Sequence, residues 1–285
     1  MNVKQALGTW PQYILPHHPL SRLMRRLTHS ENTRWKNFFI HRIINHYGVN
    51  MQEALAADIA AYPSFNHFFT RALKPEVRPI TTTAQGIACP ADGAVSQAGD
   101  ITAGNIIQAK GKNYSLQDLL GGDTQRAAAF AEGKFATVYL SPKDYHRLHM
   151  PIDGTLEEML HIPGRLFSVN AATANVVPRL FARNERVVCN FATAAGPMAL
   201  ILVGALFVAS IETVWHGEVT PPTTSAIQSW QYEANPPKLK RGEEMGRFNM
   251  GSTIIVLFGK DSIRWENAFA AGANVKLGQR IGLIL

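Results

Sequence analysis

Cysteine is nearly missing from this chain: Cys89 and Cys189 are the two thiols in 285 residues, and neither sits in a Cys-x-x-Cys pair. That excludes a disulfide-framed scaffold and makes a reducing compartment the expectation. Long apolar runs are missing too. The most apolar stretch, Met198 to Ala209, contains Gly204 and falls short of the ~20 residues a helix needs to cross a bilayer. Its β-branched content predicts a buried strand instead. Pro11, Pro16 and Pro19 would break the apolar core of a secretory leader. Acidic residues are scarce near the N-terminus. Lys4, Arg22, Arg25, Arg26, Arg34, Lys36 and Arg42 face Glu31 alone across residues 1–47, so most of the formal net charge of +7 sits there. Several motifs are absent: no HExxH for zinc, no GxSxG elbow, no GxxxxGK[ST] phosphate loop, and no nucleic-acid recognition signature.

What is present suits one sizeable core, with 46% hydrophobic and 17% charged residues. The basic N-terminal residues are interleaved with Trp10, Tyr13, Leu20, Leu23, Met24, Leu27, Trp35, Phe38, Phe39 and Ile43. Basic plus apolar residues on short helices suit an anionic membrane surface, although a solvated helical face packed on the main domain is an equal reading. Trp35, Phe38, Phe39, Ile43 and Tyr47 recur at spacings of three and four, which predicts a helix over Glu31–Tyr47 ended by Gly48. Asn50 and Glu53 predict a second helix through Ala60, and Ser64 starts a short one carrying Phe65, Phe68 and Phe69. Pro75 and Pro79 mark a linker.

Beyond Pro79 the pattern becomes short β segments between glycine turns: Gly93–Ala98, Phe135–Ser141, Gly154–Leu160, Arg186–Thr193, Met198–Trp215 and Ser252–Phe258. Gly272–Leu285 reads as turn, strand, turn, strand, with Gly278 and Gly282 at the turns, and Thr220–Lys240 as an exposed loop. The fold class expected is α+β: a predominantly antiparallel β catalytic domain with an N-terminal helical, membrane-facing region.

Four places carry candidate chemistry. Asp92, in Pro90-Ala91-Asp92-Gly93, is by itself a turn-former. His146 and His149, within Tyr139–Met150, are three apart and suited to share one face of a helical turn. No third ligand lies at a familiar spacing, so a base and a proton donor fit better than a metal pair. Phe181–Arg186 reads as an exposed, salt-bridged loop. Gly251-Ser252-Thr253 reads locally as a turn feeding an apolar strand.

Taken together, Pro90–Gly93, Tyr139–Met150, Phe181–Arg186 and Met245–Thr253 resemble, in order and spacing, the bacterial phosphatidylserine decarboxylase proenzymes. Gln108–Leu116, Gly204–Trp215 and the basic, aromatic N-terminal region are similar as well, so the resemblance covers nearly the whole chain. One departure stands at the cleavage motif. The usual bacterial form is Leu-Gly-Ser-Thr, and here Met250 takes the leucine's place. The two side chains have similar volumes, so processing is expected to be retained.

The resemblance implies a pyruvoyl-dependent decarboxylase domain over 63–285 and a basic amphipathic membrane-associating region over 1–62. It implies autocleavage between Gly251 and Ser252 into a β chain, 1–251, and an α chain, 252–285, that stay associated. Ser252 would act first as nucleophile, with His149 as its base and Asp92 orienting that base. It would then become a pyruvoyl cofactor forming a Schiff base with phosphatidylserine, with His146 serving decarboxylation. No metal and no nucleic acid are implied. Partners would be phosphatidylserine and an anionic membrane surface, with a homo-oligomer left open, at the cytoplasmic face of the cell membrane. Two alternatives stand beside this: a serine hydrolase using Asp92, His149 and Ser252 on an external acyl substrate, and a non-catalytic membrane-binding protein.

Overall fold

The computed structural model describes residues 9–109, 111–207, 210–221 and 224–285. Lys4 of the basic set lies outside the described residues. So do Lys110 and residues 208–209 of two of the family-like blocks, and residues 222–223 of the expected loop.

Among the described residues, nine strands form the main antiparallel sheet. Its spatial order is Gln228–Gln231, Gly154–Ile162, Arg186–Thr193, Gly196–Val203, Thr253–Phe258, Lys134–Tyr139, Gly93–Asp100 and Asn274–Val275, with Lys238–Leu239 also paired to Gly154–Ile162. Thr253–Phe258 is central and buried along its whole length. Its side chains alternate between two cores. Ile254, Val256 and Phe258 enter one apolar cluster, whereas Ile255 and Leu257 enter another on the opposite face. A strand buried on both faces needs apolar residues at successive positions, which is why Thr-Ile-Ile-Val-Leu-Phe reads as a continuous run. Each fully buried side chain of this size contributes about 1.5–3 kcal/mol.

A smaller sheet orders Gly217–Glu218, Ile211–Thr213, Glu244–Phe248 and Arg147–His149. A third joins Gly86–Ala88, Arg280–Ile284 and Ile263–Trp265. The sheets dominate and the helices are few, in agreement with the α+β expectation.

Of the helices His17–Thr28, Thr33–Tyr47 and Phe65–Phe69, the second and third pack together as a layer, while the first reaches the β domain, where His18 donates to the Gly164 carbonyl and Arg25 to Glu218. Asn32 caps the second by accepting from the Trp35 amide at 3.1 Å, and Gly48 ends it in the left-handed region at φ +68°. Ser64 caps the third. Their apolar cluster, Ile40, Val49, Tyr62, Phe65, Phe68 and Phe69, also packs against Met250. Among the described residues, no helix is long and apolar enough to cross a membrane. Cys89 and Cys189 are buried free thiols.

Several local expectations are corrected. The helix expected after Asn50 is two separate 3-10 turns, Met51–Glu53 and Ile59–Ala61, because Asp58 caps a new start by accepting from the Ala60 amide. Met198–Trp215 splits into Gly196–Val203 in the main sheet and Ile211–Thr213 in the smaller one. Thr220–Lys240 contributes two strands to the main sheet instead of remaining a loop. Gly282 lies inside a strand, where a Cβ would meet the Arg264 carbonyl at 2.7 Å.

One glycine pins the far end of the central strand. A Cβ on Gly133 would stand 1.9 Å from the Phe258 carbonyl oxygen. Backbone cannot yield as a flexible side chain does, so Gly133→Ala is expected to cost roughly 3 kcal/mol and to lower the thermal midpoint by about 5 °C. Calorimetry checks this, and an unchanged midpoint would contradict the packing described.

Candidate active site

The register of three neighbouring strands brings the predicted residues to one end of the main sheet. Ala94 and Thr253 both pair with Tyr139. The residues just beyond these positions, Asp92, Leu140 and Ser252, therefore emerge together. The carbonyl of Ser252 accepts from the Leu140 amide at 2.9 Å.

Residues 249–252 cross from the small sheet, which holds Glu244–Phe248, to the main sheet, which holds Thr253–Phe258. Asn249 anchors the crossover. Its amide donates to the Ser210 carbonyl at 2.9 Å, its Nδ2 to Ser210 Oγ at 2.5 Å, and its Oδ1 accepts from Asn66 at 3.1 Å. Met250 follows with φ +141°, a region that a side-chain-bearing residue rarely occupies. Such a conformation stores on the order of 1–3 kcal/mol and persists only where its surroundings impose it. Here the Asn249 anchor and the packing of Met250 on the helical cluster do so. Ser252 is fully buried, and among the described residues its hydroxyl has no hydrogen-bond partner.

His146 lies against the Gly251–Ser252 segment. Its Nδ1 donates to the Asp144 carbonyl at 2.8 Å, which leaves Nε2 as an unprotonated acceptor, buried and without a partner among the described residues. A Cβ on Gly251 would come within 3.1 Å of that Nε2 and 3.4 Å of the Leu140 carbonyl, so the close approach favours a residue without a side chain. The Phe69 ring covers the imidazole with centroids 4.0 Å apart. Burial, and after it the positive charge of Arg71, holds the His146 pKa down to about 3.

His149 occupies a different setting. Its Nδ1 donates to the Gly242 carbonyl at 2.7 Å, and its Nε2 accepts from the Tyr145 hydroxyl at 3.2 Å. Burial lowers its pKa as well, with Asp92 among the weaker influences acting upward. Tyr145, pushed up to about 12 by burial, stays protonated as the donor. Arg147–His149 is a strand, not a helical turn, so the two histidines do not share a helical face.

Asp92 is buried and bound to Arg78, at 2.9 Å from Nε and 2.6 Å from Nη2, and it accepts from the Leu277 amide at 2.8 Å. It does not fold back on its own turn as a local turn-former would. Arg78 also donates to Glu53 at 2.7 Å. Among the described residues, no hydrogen bond joins Asp92 to His149 or either histidine to Ser252. Phe181–Arg186 is also unlike its exposed-loop expectation. Asn184, Glu185 and Arg186 are buried, and Arg186 donates to the carbonyls of Leu119, Asp118, Ala182 and Asn184. That segment frames the sheet and does not enter the site. Arg71, Arg78, Phe69 and Tyr145 were not singled out from sequence. Only Tyr145, four residues before His149 in a family-like block, carried a local signal.

The low proton affinity of His146 has a measurable consequence. An imidazole held below its ordinary 6.5 must stay neutral in the fold while the unfolded chain binds a proton. Stability is therefore present above pH 6.5 and is lost as pH falls toward about 3. In the uncleaved Ser252→Ala chain, His146→Gln is expected to flatten this fall by up to about 1.4 kcal/mol per pH unit. Urea unfolding at pH 4.5 and 7 measures it, and identical slopes would show that His146 is not held neutral.

A family model described as phosphatidylserine decarboxylase matches residues 65–283, and one described as PSD matches residues 7–48. The chain is similar to curated phosphatidylserine decarboxylase proenzymes along nearly its full length. That of Pseudomonas putida is 55% identical over 282 residues, covering 98% of each chain. That of Bordetella pertussis is 54% identical over 286 residues, covering 99% of this chain and 96% of its own. That of Methylococcus capsulatus is 53% identical over 271 residues, covering 95% and 94%.

Proposed function

The chain belongs to the phosphatidylserine decarboxylase family, and we propose that it makes its own catalytic group by cutting itself between Gly251 and Ser252. The reaction is conversion of phosphatidylserine to phosphatidylethanolamine and carbon dioxide. One observation carries the choice of bond: the Ser252 hydroxyl is buried and unpartnered, directly after a glycine that lies against the bare Nε2 of His146. A serine hydrolase acting on an external acyl group is not the activity named for these relatives.

The chemistry of processing follows from the residues. A serine hydroxyl is a weak nucleophile until a base takes its proton. His149 is that base and Asp92 the carboxylate that favours its charged form, once His149 exchanges the Tyr145 hydroxyl for Ser252. Ser252 Oγ bonds to the Gly251 carbonyl carbon and the Gly251–Ser252 C–N bond breaks, leaving an ester and a free Ser252 amine. Loss of the Ser252 Cα proton expels the Gly251 carboxylate and leaves a carbon–carbon double bond. Water then displaces nitrogen as ammonia, and position 252 becomes a pyruvoyl group. Release of the strained Met250 backbone favours the cut. The chains 1–251 and 252–285 stay together because Thr253–Phe258 is paired on both sides with strands of the longer chain.

The setting of Ser252, fully buried and next to a residue without a side chain, fits this group. Its carbonyl supplies an electron sink for a bound amine as carbon dioxide departs. His146, with Nδ1 fixed by Asp144 and Nε2 bare, takes up a proton at Nε2 once substrate is bound and passes it to the substrate α-carbon.

Residues 1–62 act as the membrane-associating region and 63–285 as the catalytic domain. Trp10, Ile14, Leu23 and Phe38 expose apolar surface among the basic residues of the N-terminal segment. That combination suits a peripheral position on an anionic leaflet, at the cytoplasmic face.

Intact-mass measurement tests the central claim. Two chains are expected, ending at Gly251 and beginning at position 252, and cyanoborohydride with phosphatidylserine should fix the lipid amine to the shorter one. A single full-length mass from active protein would sink the proposal.

The roles of the histidines separate by mutation. His149→Ala is expected to slow cleavage at least about 100-fold, whereas His146→Ala still cuts and loses decarboxylation by a similar factor. Gel analysis of processing beside a carbon dioxide release assay reads both. The reverse pattern would give the base role to His146.

A further inference from the structure

Beside the proposed site, a cavity of about 460 Å³ opens between the helical layer and the loop before His146. Arg71, Arg78, Asp92, Lys143, Tyr145 and Lys276 are among its lining residues. Most of its charges are already matched. Arg78 lies between Glu53 and Asp92, Lys276 is 3.8 Å from Glu53, and Asp144 accepts from the amide and hydroxyl of Ser141.

Arg71 and Lys143 have no ion-pair partner among the described residues, and of the two only Arg71 is buried. The residue is 4% exposed, yet among the described residues no carboxylate lies within salt-bridge distance. Its Nη2 donates to the Lys143 carbonyl at 3.0 Å, while Nε and Nη1 are buried without any acceptor. The guanidinium rests 5.4 Å from the Phe68 ring centre. A buried cation with two idle donors is costly and calls for an anion. The planar fork of arginine suits the paired oxygens of a phosphate or a carboxylate. Its place in the chain ties it to the chemistry, because Phe69, two residues earlier, covers His146.

We propose that Arg71 binds the phosphodiester of the substrate headgroup and thereby seats the serine moiety at position 252. This rests on the decarboxylase reading above. The alternative anion, the serine carboxylate, loses its charge as carbon dioxide leaves. A cation on it would stabilise the ground state more than the transition state and slow the reaction. The phosphodiester keeps its charge throughout, so binding there helps without opposing the chemistry. An anion on Arg71 also offsets one of the influences that hold the proton affinity of His146 down, so a filled site makes that imidazole a better proton carrier.

The test uses the processed full-length protein and reductive trapping of three soluble amines on the shorter chain. Glycerophosphoserine has phosphate and carboxylate, glycerophosphoethanolamine has phosphate alone, and L-serine has carboxylate alone. Arg71→Gln is expected to weaken the apparent affinity for both phosphodiesters at least about tenfold and to leave L-serine unchanged. Arg71→Lys should restore part of the preference. Inorganic phosphate should compete with the phosphodiesters and not alter L-serine trapping. Equal losses for all three amines would make Arg71 structural, and losses for the two carboxylates alone would move it to the carboxylate. Faster L-serine trapping in phosphate would make it a site for a free anion. Each of these overturns the proposal. Wild-type protein that traps none of the amines, nor phosphatidylserine, would instead refute the decarboxylase reading. If the variants fail to process, calorimetric titration of glycerophosphoethanolamine into Ser252→Ala chains with and without Arg71→Gln decides the matter: a weakened heat signature supports the proposal, and equal affinity overturns it.

Discussion

Residues 249–252 have to join two sheets, and the organisation of the site follows from that crossover. Glu244–Phe248 is locked to Arg147–His149 and Ile211–Thr213, while Thr253–Phe258 is locked between Gly196–Val203 and Lys134–Tyr139. Neither strand has freedom to slide, since a shift of one residue would turn the apolar set of the central strand into the wrong cores. The connecting backbone absorbs the mismatch. Asn249 takes the hydrogen bonds, Met250 takes the unfavourable φ, and Gly251 takes the tight approach to His146. A residue at 251 with a side chain would push on an imidazole that is itself fixed by Asp144 and roofed by Phe69.

Burial sets the protonation states that this arrangement works with. His146 and His149 sit one residue to either side of Arg147–Leu148, both kept toward the neutral form, yet for unequal local reasons. His146 has an idle nitrogen, whereas both nitrogens of His149 are engaged. Asp92 contributes to His149 through its charge and not through a bond, because Arg78 and the Leu277 amide occupy its carboxylate. Arg78 holds that charge in an ion pair, and Glu53 in turn shares Arg78. Two histidines close in sequence thereby acquire different capacities without any change of residue type.

How much of this was legible beforehand varied with how far each feature depended on distant partners. The central strand was readable because a strand buried on both faces must be apolar at every position. Asp92, His146, His149 and Ser252 came from family-like blocks and not from local pattern, since each reads alone as a turn, a structural histidine or a loop. Gln228–Gln231 was not readable. It is an edge strand with half-buried and exposed residues alternating, and its pairing with Gly154–Ile162 decides its conformation. Arg186 looked like part of a solvated charge cluster, yet four backbone carbonyls inside the fold satisfy it. Arg71 carried no signal, because an unmatched guanidinium is defined by what fails to surround it.

The helical layer and the crossover meet at Met250, which gives the departure from leucine a physical meaning. The side chain packs on the cluster of Ile40, Val49, Tyr62 and the three phenylalanines, and the backbone of the same residue carries the strain. Packing pressure from the layer is therefore part of what holds the unfavourable φ in place. Methionine fills the volume of leucine with an unbranched, more pliant chain, so it transmits that pressure less rigidly. The layer also supplies Phe69 to His146 and Arg71 to the cavity. One packed layer thus bears on both the crossover, through Met250, and the imidazole, through Phe69.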